Sequence, residues 1–224
     1  MTTVVFSDTH LTDQYDAETF HALRTIIEPA DQVIINGDFW DGYLTDFDSF
    51  LSSPWKDELF PLLKSKQTIY IPGNHDEPSF MDERTSEFAR HIVPLFVLKS
   101  PAHTYLIQHG HVIYKNTVIL VSDRIPRIVS ATFFRFLTDQ EKKQSWLGKL
   151  SKIIAHSLDV YDHERMKAYV RTARGKENLT FIFGHTHIPY VSKKKDHFNS
   201  GSFTPKKFSY LVIDSEGCQL LTIE

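Results

Sequence analysis

Five segments of the chain each place potential metal ligands directly after a short apolar run. The runs cover residues 4–6, 33–35, 69–71, 105–107 and 181–183. The side chains that follow them are Asp8 and His10, then Asp38, then Asn74, His75 and Asp76, then His109 and His111, and finally His185 and His187. Carboxylate, imidazole and amide groups bind divalent cations, which can activate water for hydrolysis. The pattern therefore indicates metal-ion catalysis.

Short apolar runs of this kind are typical of buried strands, and open α/β folds place their sites where strands end. Five such strands would bring the polar side chains to one rim of a sheet. The intervening patterns predict helices over 16–28, 55–64 and 79–91, a helical insertion over 124–177, and strands in the tail 197–224. We therefore expect a single domain over 1–224 that carries the insertion 124–177 within it.

The spacing inside two segments supports the metal interpretation. Asp8 and His10 are two residues apart on an extended chain, so their side chains point the same way, and His185 and His187 repeat this spacing. Each of these side chains could instead cap a helix or form a hydrogen bond in the core. A glycine stands beside nearly every one of them, however, and glycine lets a backbone turn tightly and approach a ligand closely.

In their order along the chain, these motifs resemble the signature of the calcineurin-like metallophosphoesterases. The matching residues run from 8 to 187: Asp8-x-His10, Gly37-Asp38-x-x-Asp41, Gly73-Asn74-His75-Asp76, His109 and Gly184-His185-x-His187. The resemblance implies an α/β fold, a four-layer αββα sandwich of two mixed β-sheets flanked by helices. It also implies a dinuclear metal centre that hydrolyses a phosphoester or pyrophosphate bond by a metal-bridging hydroxide.

The resemblance further implies a role for each matching residue. By resemblance the first cation is held by Asp8, His10 and His187, the second by Asn74, His109 and His185, and both are bridged by Asp38. His75 would stand beside the phosphate as a catalytic donor, Asp76 would orient its imidazole, and Asp41 would support the site or be structural. Residues 199–202 resemble a late turn of the family near the site, and a plain loop explains them equally well.

The kinds of donor limit the metal. Nitrogen and oxygen ligands without thiolate suit Mn, Fe, Zn or Co, with Mg weaker at histidine-rich positions. We expect two divalent ions, with Mn as the first choice.

Within the superfamily, the chain is most similar to the UDP-2,3-diacylglucosamine pyrophosphatases of lipid A biosynthesis. The similarity lies in residues 8–11, the His109-Gly110 block, the insertion before Gly184 and the overall length. Those enzymes cover their site with a helical lid that receives two acyl chains. Two positions depart from that group, which usually carries Arg where this chain has His75 and commonly carries Asp where it has His111.

The insertion supplies candidate substrate contacts. Arg124 and Arg127 could meet phosphates, Phe133 and Phe134 could meet acyl chains, and His111 could face the site or solvent. Alternatively, the apolar residues of the insertion only pack it onto the body. A UDP-2,3-diacylglucosamine-like lipid nucleotide is the favoured substrate. The alternatives are a general phosphodiesterase or phosphatase acting on a small soluble substrate, and a non-catalytic scaffold with the same fold.

Charge is distributed unevenly along the chain. Residues 124–177 contain 12 Lys or Arg against 6 Asp or Glu, whereas the whole chain has a net charge of −3. A basic segment on an acidic body suggests an anionic, phosphate-containing partner, possible peripheral membrane contact through 124–177, or simply a solvated helical face. Nucleic acid is not the expected partner, and the sequence indicates no oligomeric state.

Cys218 is the only cysteine, which excludes an intramolecular disulfide and fits a reducing compartment. The N-terminal residues carry no basic leader, and no apolar stretch approaches the roughly 18 residues that a membrane span needs. We therefore expect a cytoplasmic enzyme.

Overall fold

The computed structural model describes residues 1–100, 103–114, 146–173, 179–205 and 207–223. Its strands are β1 (Thr3–Phe6), β2 (Gln32–Asn36), β3 (Ile69–Ile71), β4 (His91–Ile92), β5 (Phe96–Lys99), β6 (Thr104–Ile107), β7 (Leu179–Phe183), β8 (Tyr190–Val191), β9 (His197–Asn199), β10 (Phe203–Thr204), β11 (Lys207–Ile213) and β12 (Cys218–Ile223). Its α-helices are α1 (Ala17–Ile27), α2 (Phe47–Leu51), α3 (Trp55–Glu58), α4 (Phe60–Ser65) and α5 (Trp146–Ala173).

The first sheet has a parallel half and an antiparallel half. Strands β1, β2, β3 and β4 lie side by side and parallel, with Val4 opposite Val33 and Ile35 opposite Tyr70. Strand β11 runs antiparallel to β1, and β10 and β12 pair antiparallel with β11. The carboxyl ends of β1, β2 and β3 therefore meet at one edge.

The second sheet has the order β5-β6-β7-β9-β8. Strands β6, β7 and β9 are parallel, whereas β5 and β8 pair antiparallel at the two margins. The loops that follow β6 and β7 therefore leave the sheet at the same end.

Three groups of buried side chains separate four layers. Alternate residues of β1, β2 and β3 pack against the helices α1 to α4, including Phe20 and Leu63. The opposite faces of these strands pack against the second sheet, where Ile34 and Ile182 share one cluster. The outer face of the second sheet packs against α5 through Phe183. The predicted αββα sandwich of two mixed sheets is confirmed.

Helix boundaries follow local chemistry. The Asp16 carboxylate accepts a hydrogen bond from the Thr19 amide at 3.0 Å and so caps α1, close to the predicted start. The predicted helix 55–64 is instead two short helices that meet at Leu59. Pro61 has no amide hydrogen, and its ring disfavours a helix continuing through the preceding turn.

The prediction of a helix over 79–91 is wrong. The chain forms two short 3₁₀ turns, Pro78–Phe80 and Glu83–Glu87, and then enters β4. Met81 and Asp82 between the turns are extended, and the Asp82 carboxylate accepts from the Arg84 amide at 3.0 Å. Polar residues without an apolar stripe gave this segment no face to bury as a helix.

Part of the predicted insertion lies within the described residues. Helix α5 occupies 28 residues of it. Arg124, Arg127, Phe133 and Phe134 lie outside the described residues, so the domain boundaries and these contacts stay predictions. Among the described helices, none combines the length and the apolarity needed to cross a membrane.

Candidate metal centre

The loops after β1, β2, β3, β6 and β7 converge on one edge of the sandwich. They bring six of the predicted ligands into a first group, Asp8 with His10 and His187, and a second group, Asp38 with His109 and His185, while a third group joins His10 and Asp38 to His75. Within each group the potential ligand atoms lie within 4.8 Å of one another. The first and second groups each contain residues from both sheets, whereas the third lies on loops of the first sheet.

Asn74, the seventh predicted ligand, belongs to the loop after β3. Its neighbour His75 donates its backbone amide to Asp38 Oδ1 at 2.8 Å, which ties this loop to the second group. The side-chain oxygen of Asn74 is buried and has no hydrogen-bond partner among the described residues. The structure thus brings this amide to the same edge as the six charged or imidazole ligands.

His109 is held as a single tautomer. Its Nδ1 lies 2.7 Å from the backbone carbonyl oxygen of Asn36, which can only accept, so Nδ1 carries the proton. Its Nε2 lies 3.3 Å from Asp38 Oδ2. Burial by itself lowers the pKa of His109, but the Asp38 carboxylate outweighs this and raises the pKa to about 9.

His10 and His187 show the same arrangement in the first group. Their Nε2 atoms lie 3.3 Å apart, and His187 Nε2 lies 3.2 Å from Asp8 Oδ1. Their Nδ1 atoms point to carboxylates, His10 to Asp41 at 3.5 Å and His187 to Asp159 at 3.6 Å. One nitrogen of each ring is thereby left facing the other members of the group.

The donor set fits a pair of cations. Asp8 Oδ1, Asn74 Oδ1 and His109 Nε2 are buried, and none has a hydrogen-bond partner among the described residues. Each buried polar atom without a hydrogen bond costs roughly 1 to 3 kcal/mol of folding free energy. An imidazole nitrogen binds a metal only after losing its proton, and a divalent cation lying between these nitrogens and carboxylates would take the place of the ring protons. These residues could therefore hold the two metal ions.

The backbone at the centre is strained, and the prediction that Asp8 and His10 lie on an extended chain is wrong. Five of the predicted ligands have positive φ: Asp8 (56°), His10 (47°), Asp38 (52°), His185 (68°) and His187 (53°). A residue other than glycine costs about 1 to 2 kcal/mol in this left-handed region. Backbone hydrogen bonds between the first two loops, from His10 N to Asp38 O at 3.0 Å for example, hold the conformation. Strain of this kind concentrates at functional sites.

Gly73 provides space at the centre. A Cβ atom there would overlap Asp38 Oδ1 and would stand 2.8 Å from His109 Nε2. Gly37 likewise has φ of 89° and the His109 ring against it. The predicted close approach of backbone to ligands is thus seen at both positions.

The predicted role of Asp76 as the residue that orients His75 is wrong. Its carboxylate is fully buried and accepts hydrogen bonds from the amides of Asp38 at 3.1 Å, Phe39 at 2.6 Å and Gly73 at 2.5 Å. Burial and the nearby Asp38 charge raise the pKa of Asp76 to about 6. Asp76 therefore ties together the loops after β2 and β3.

Asp41 is the carboxylate that faces His75. Its Oδ2 lies 3.2 Å from His75 Nδ1, on the same oxygen that faces His10. Burial raises the pKa of Asp41, but the hydrogen bonds and charges of these two histidines hold it well below its usual range. The His75 ring stands edge-on to His10 with centroids 4.6 Å apart, which places it directly beside the metal ligands.

The turn at residues 199–202 braces the centre from the second sheet. Asn199 Nδ2 donates to the Gly184 carbonyl at 2.7 Å and to Thr186 Oγ1 at 3.1 Å, which fixes the loop that carries His185. Ser200 Oγ lies 2.6 Å from Ser7 Oγ, and Ser7 in turn donates to the Asp8 carboxylate. Of the two explanations that the sequence left open, the structure favours a turn belonging to the site.

Sequence reasoning missed two further carboxylates at the centre. Asp159 and Asp162 on α5 lie beside His187 and His185, each with an oxygen 3.6 Å from a ring nitrogen. The signal in the sequence was a pair of acidic residues three apart on a helix, which places both on one face.

A cavity of about 530 Å³ opens beside the centre, and His109 and Gly73 form part of its wall. The predicted substrate contact His111 also lines it. The rest of the wall is largely apolar, formed by side chains such as Pro78, Ile92, Val93, Pro94 and Val112. Ile92 and Val112 are 43% and 48% exposed, so apolar surface is available to a ligand here.

Residues 1–189 match the family model described as calcineurin-like phosphoesterase. Similar solved structures include the phosphoesterase Yfce from E. coli (16% identity, 100% of both chains, TM-score 0.48), an archaeal phosphodiesterase (13%, 100% of both, 0.46) and Vps29 from Entamoeba histolytica complexed with zinc (15%, 99% of both, 0.47). With TM-scores under 0.5, these similarities add nothing to the family match. No curated protein matches the chain significantly.

Proposed function

Because the chain belongs to the calcineurin-like phosphoesterase family, we propose that it hydrolyses phosphoesters or pyrophosphates at the centre described above. One observation carries the proposal. Potential ligand atoms from loops of both sheets converge in groups within 4.8 Å, and Asp8 Oδ1 and His109 Nε2 among them are buried without a hydrogen-bond partner in the described part of the chain. Asp8, His10 and His187 would hold one cation, Asn74, His109 and His185 the other, and Asp38 would bridge them.

When bound, the two cations supply Lewis acidity and lower the pKa of the attacking water. His75 stands at the edge of the centre, where its imidazole can donate a proton to a phosphate oxygen or to the leaving group. Asp41 Oδ2 lies 3.2 Å from His75 Nδ1, and its charge can orient the ring. Manganese is the metal we propose, with iron, zinc, cobalt and magnesium as the alternatives that the same donors accept.

We further propose that the substrate carries an apolar group next to its phosphate. The apolar wall of the cavity supports this, because burying each CH₂ group contributes about 0.8 kcal/mol. A lipid nucleotide resembling UDP-2,3-diacylglucosamine is the specific candidate, on the sequence grounds given above. A small soluble diester or monoester is the alternative, and it requires no apolar subsite.

The proposed reaction is tested by removing the metal ions with a chelator and adding Mn²⁺ back. We expect purified protein to carry close to two metal ions per chain, to lose hydrolysis of bis(p-nitrophenyl) phosphate with a chelator, and to recover it with Mn²⁺. His75→Ala should lower kcat far more than metal content. Two bound ions without turnover on any phosphate ester or pyrophosphate would contradict the proposal.

A series of p-nitrophenyl alkyl phosphates tests the substrate class. With methyl, butyl and octyl esters, kcat/KM should rise by up to about 4-fold per CH₂ until the cavity is filled. Val112→Ser and Ile92→Ser should flatten this dependence and leave the methyl ester nearly unchanged. Equal rates along the series in the native protein would favour a soluble substrate. UDP-2,3-diacylglucosamine should then be compared directly with the best ester.

A further inference from the structure

Helix α5 is fixed against the second sheet in a defined register. Met166 is fully buried and packs with Phe181 and Phe183 on the outer face of the sheet. A Cβ atom at Gly110 would stand 2.5 Å from Met166 Cε, so the absent side chain of Gly110 makes room for this methionine. Gly110 directly follows His109, and the helix is therefore seated on a loop that carries a metal ligand.

This register places two carboxylates of α5 over the centre. Asp159 and Asp162 are three residues apart, and so lie on the same face of the helix. Asp159 Oδ2 lies 3.6 Å from His187 Nδ1, and Asp162 Oδ2 lies 3.6 Å from His185 Nε2. Their side chains are only 26% and 21% exposed, so neither is an ordinary solvated surface charge.

Each carboxylate faces one nitrogen of a histidine that the proposed function assigns to a metal. A carboxylate that accepts a ring N–H proton fixes the tautomer, orients the ring and makes the other nitrogen a better donor. In His187 that other nitrogen is Nε2, which faces Asp8 Oδ1 at 3.2 Å, whereas in His185 it is Nδ1, because Asp162 faces Nε2. Asp41 faces Nδ1 of His10, and the Asn36 carbonyl oxygen faces Nδ1 of His109, in the same way.

We propose that Asp159 and Asp162 are positioning residues of the metal centre, so that α5, docked through Met166, sets how tightly the two cations are held. This inference rests on the proposed function, since it requires that His185 and His187 bind metal. It assigns α5 a task beyond covering the second sheet. A helix from within the predicted insertion thereby becomes part of the centre.

Metal affinity tests the inference directly. Metal-free protein is titrated with Mn²⁺ by calorimetry, for the native chain and for Asp159→Ala and Asp162→Ala. We expect the dissociation constants to rise about 10- to 100-fold, the range typical of lost carboxylate–histidine contacts at metals. Asp159→Asn, which keeps an acceptor without the charge, should recover part of the loss. Glu164→Ala, on an exposed part of the same helix, is the matched control and should bind Mn²⁺ like the native chain.

Thermal unfolding of the metal-free variants separates positioning from folding. The Asp159→Ala and Asp162→Ala proteins should unfold, without metal, within a few degrees of the native chain, while their stabilisation by Mn²⁺ shrinks. If the native chain binds two cations and the alanine variants bind them equally well, the inference is wrong and the proposed function stands. If the native chain binds none, the proposed function itself is wrong.

Discussion

The Nδ1 atom of His109 lies 2.7 Å from the carbonyl oxygen of Asn36, the last residue of β2. The contact joins the second sheet, which carries His109, to the first, which carries Asn36 and Asp38. It fixes the proton on Nδ1 and leaves Nε2 facing the Asp38 carboxylate at 3.3 Å. A backbone carbonyl cannot be removed by substitution, so the residue through which this geometry is best tested is Asp38.

Asp38→Asn should abolish most of the activity and leave the fold intact. The amide keeps the shape of the carboxylate, but it loses the charge and offers a single oxygen where a bridge needs two. We expect kcat on a p-nitrophenyl ester to fall by at least about 10²- to 10³-fold with Mn²⁺ in excess. The circular dichroism spectrum should be unchanged. Near-native turnover would show that Asp38 does not bridge the cations.

Gly73→Ala should disrupt metal binding through sterics alone. The added methyl group would overlap Asp38 Oδ1 and crowd His109 Nε2, so one of the two must move. We expect Mn²⁺ affinity measured by calorimetry to collapse, together with a loss of about 1 to 3 kcal/mol in unfolding free energy. Gly217→Ala is the control, because its φ of 129° strains alanine and lowers stability, while the added Cβ would meet only Tyr105 Oη at 4.0 Å and none of the predicted ligands. Equal Mn²⁺ affinity in the native and Gly73→Ala proteins would refute this.

The left-handed backbone at His10 predicts that glycine is more stable than alanine at this position, the reverse of their order in a helix. Both His10→Gly and His10→Ala remove the imidazole, but only glycine adopts φ of 47° without strain. In chelator, the glycine variant should be more stable than the alanine variant by about 1 kcal/mol in urea unfolding. At His21, exposed within α1, the order should reverse by about the same amount. Finding alanine the more stable choice at both positions would exclude strain at His10.

His197 predicts a loss of stability in acid. Burial, followed by the nearby His163, lowers the pKa of His197 from 6.5 to about 4. The unfolded chain therefore takes up this proton first as pH falls, so the stability is complete above pH 6.5 and declines towards pH 4. The gap corresponds to about 3 kcal/mol. In the presence of a chelator, the urea midpoint of His197→Gln should fall less between pH 7.5 and 4.5 than that of the native chain. The difference between the two declines should correspond to at most about 3 kcal/mol of unfolding free energy. Parallel curves for the two proteins would contradict the prediction.

The parts of the centre that could be predicted are those that each strand carries by itself. An apolar run that ends at Asp8 or at His185 contains both the strand and its ligand, so the local pattern was sufficient. Because parallel strands share their carboxyl edge, convergence followed from topology. The sequence could not show which carboxylate reaches which histidine, since Asp76 adjoins His75 in the chain whereas Asp41 belongs to a different loop. Only the folded loops assign Asp76 to backbone amides and Asp41 to His75.

Other features depend on contacts between segments distant in the sequence. The sequence analysis considered the basic and aromatic residues of the insertion, whereas the described contacts with predicted metal ligands come from two acidic residues, Asp159 and Asp162. The positive φ of His10 could not be predicted from residue type, because histidine is enriched in the left-handed region yet adopts it only rarely. The helix predicted over 79–91 failed because extended residues at Met81 and Asp82 interrupt it.

Every cation in the proposed centre would be held by both sheets at once, with Asp8 and Asp38 on one side and His187 and His109 on the other. Each of the bound metal ions would then cross-link the two sheets. Without them, the second sheet is joined to the first mainly by side-chain packing, and its amides should exchange with deuterium through openings that spare the first sheet. With them, both sheets should exchange together, as one cooperative unit.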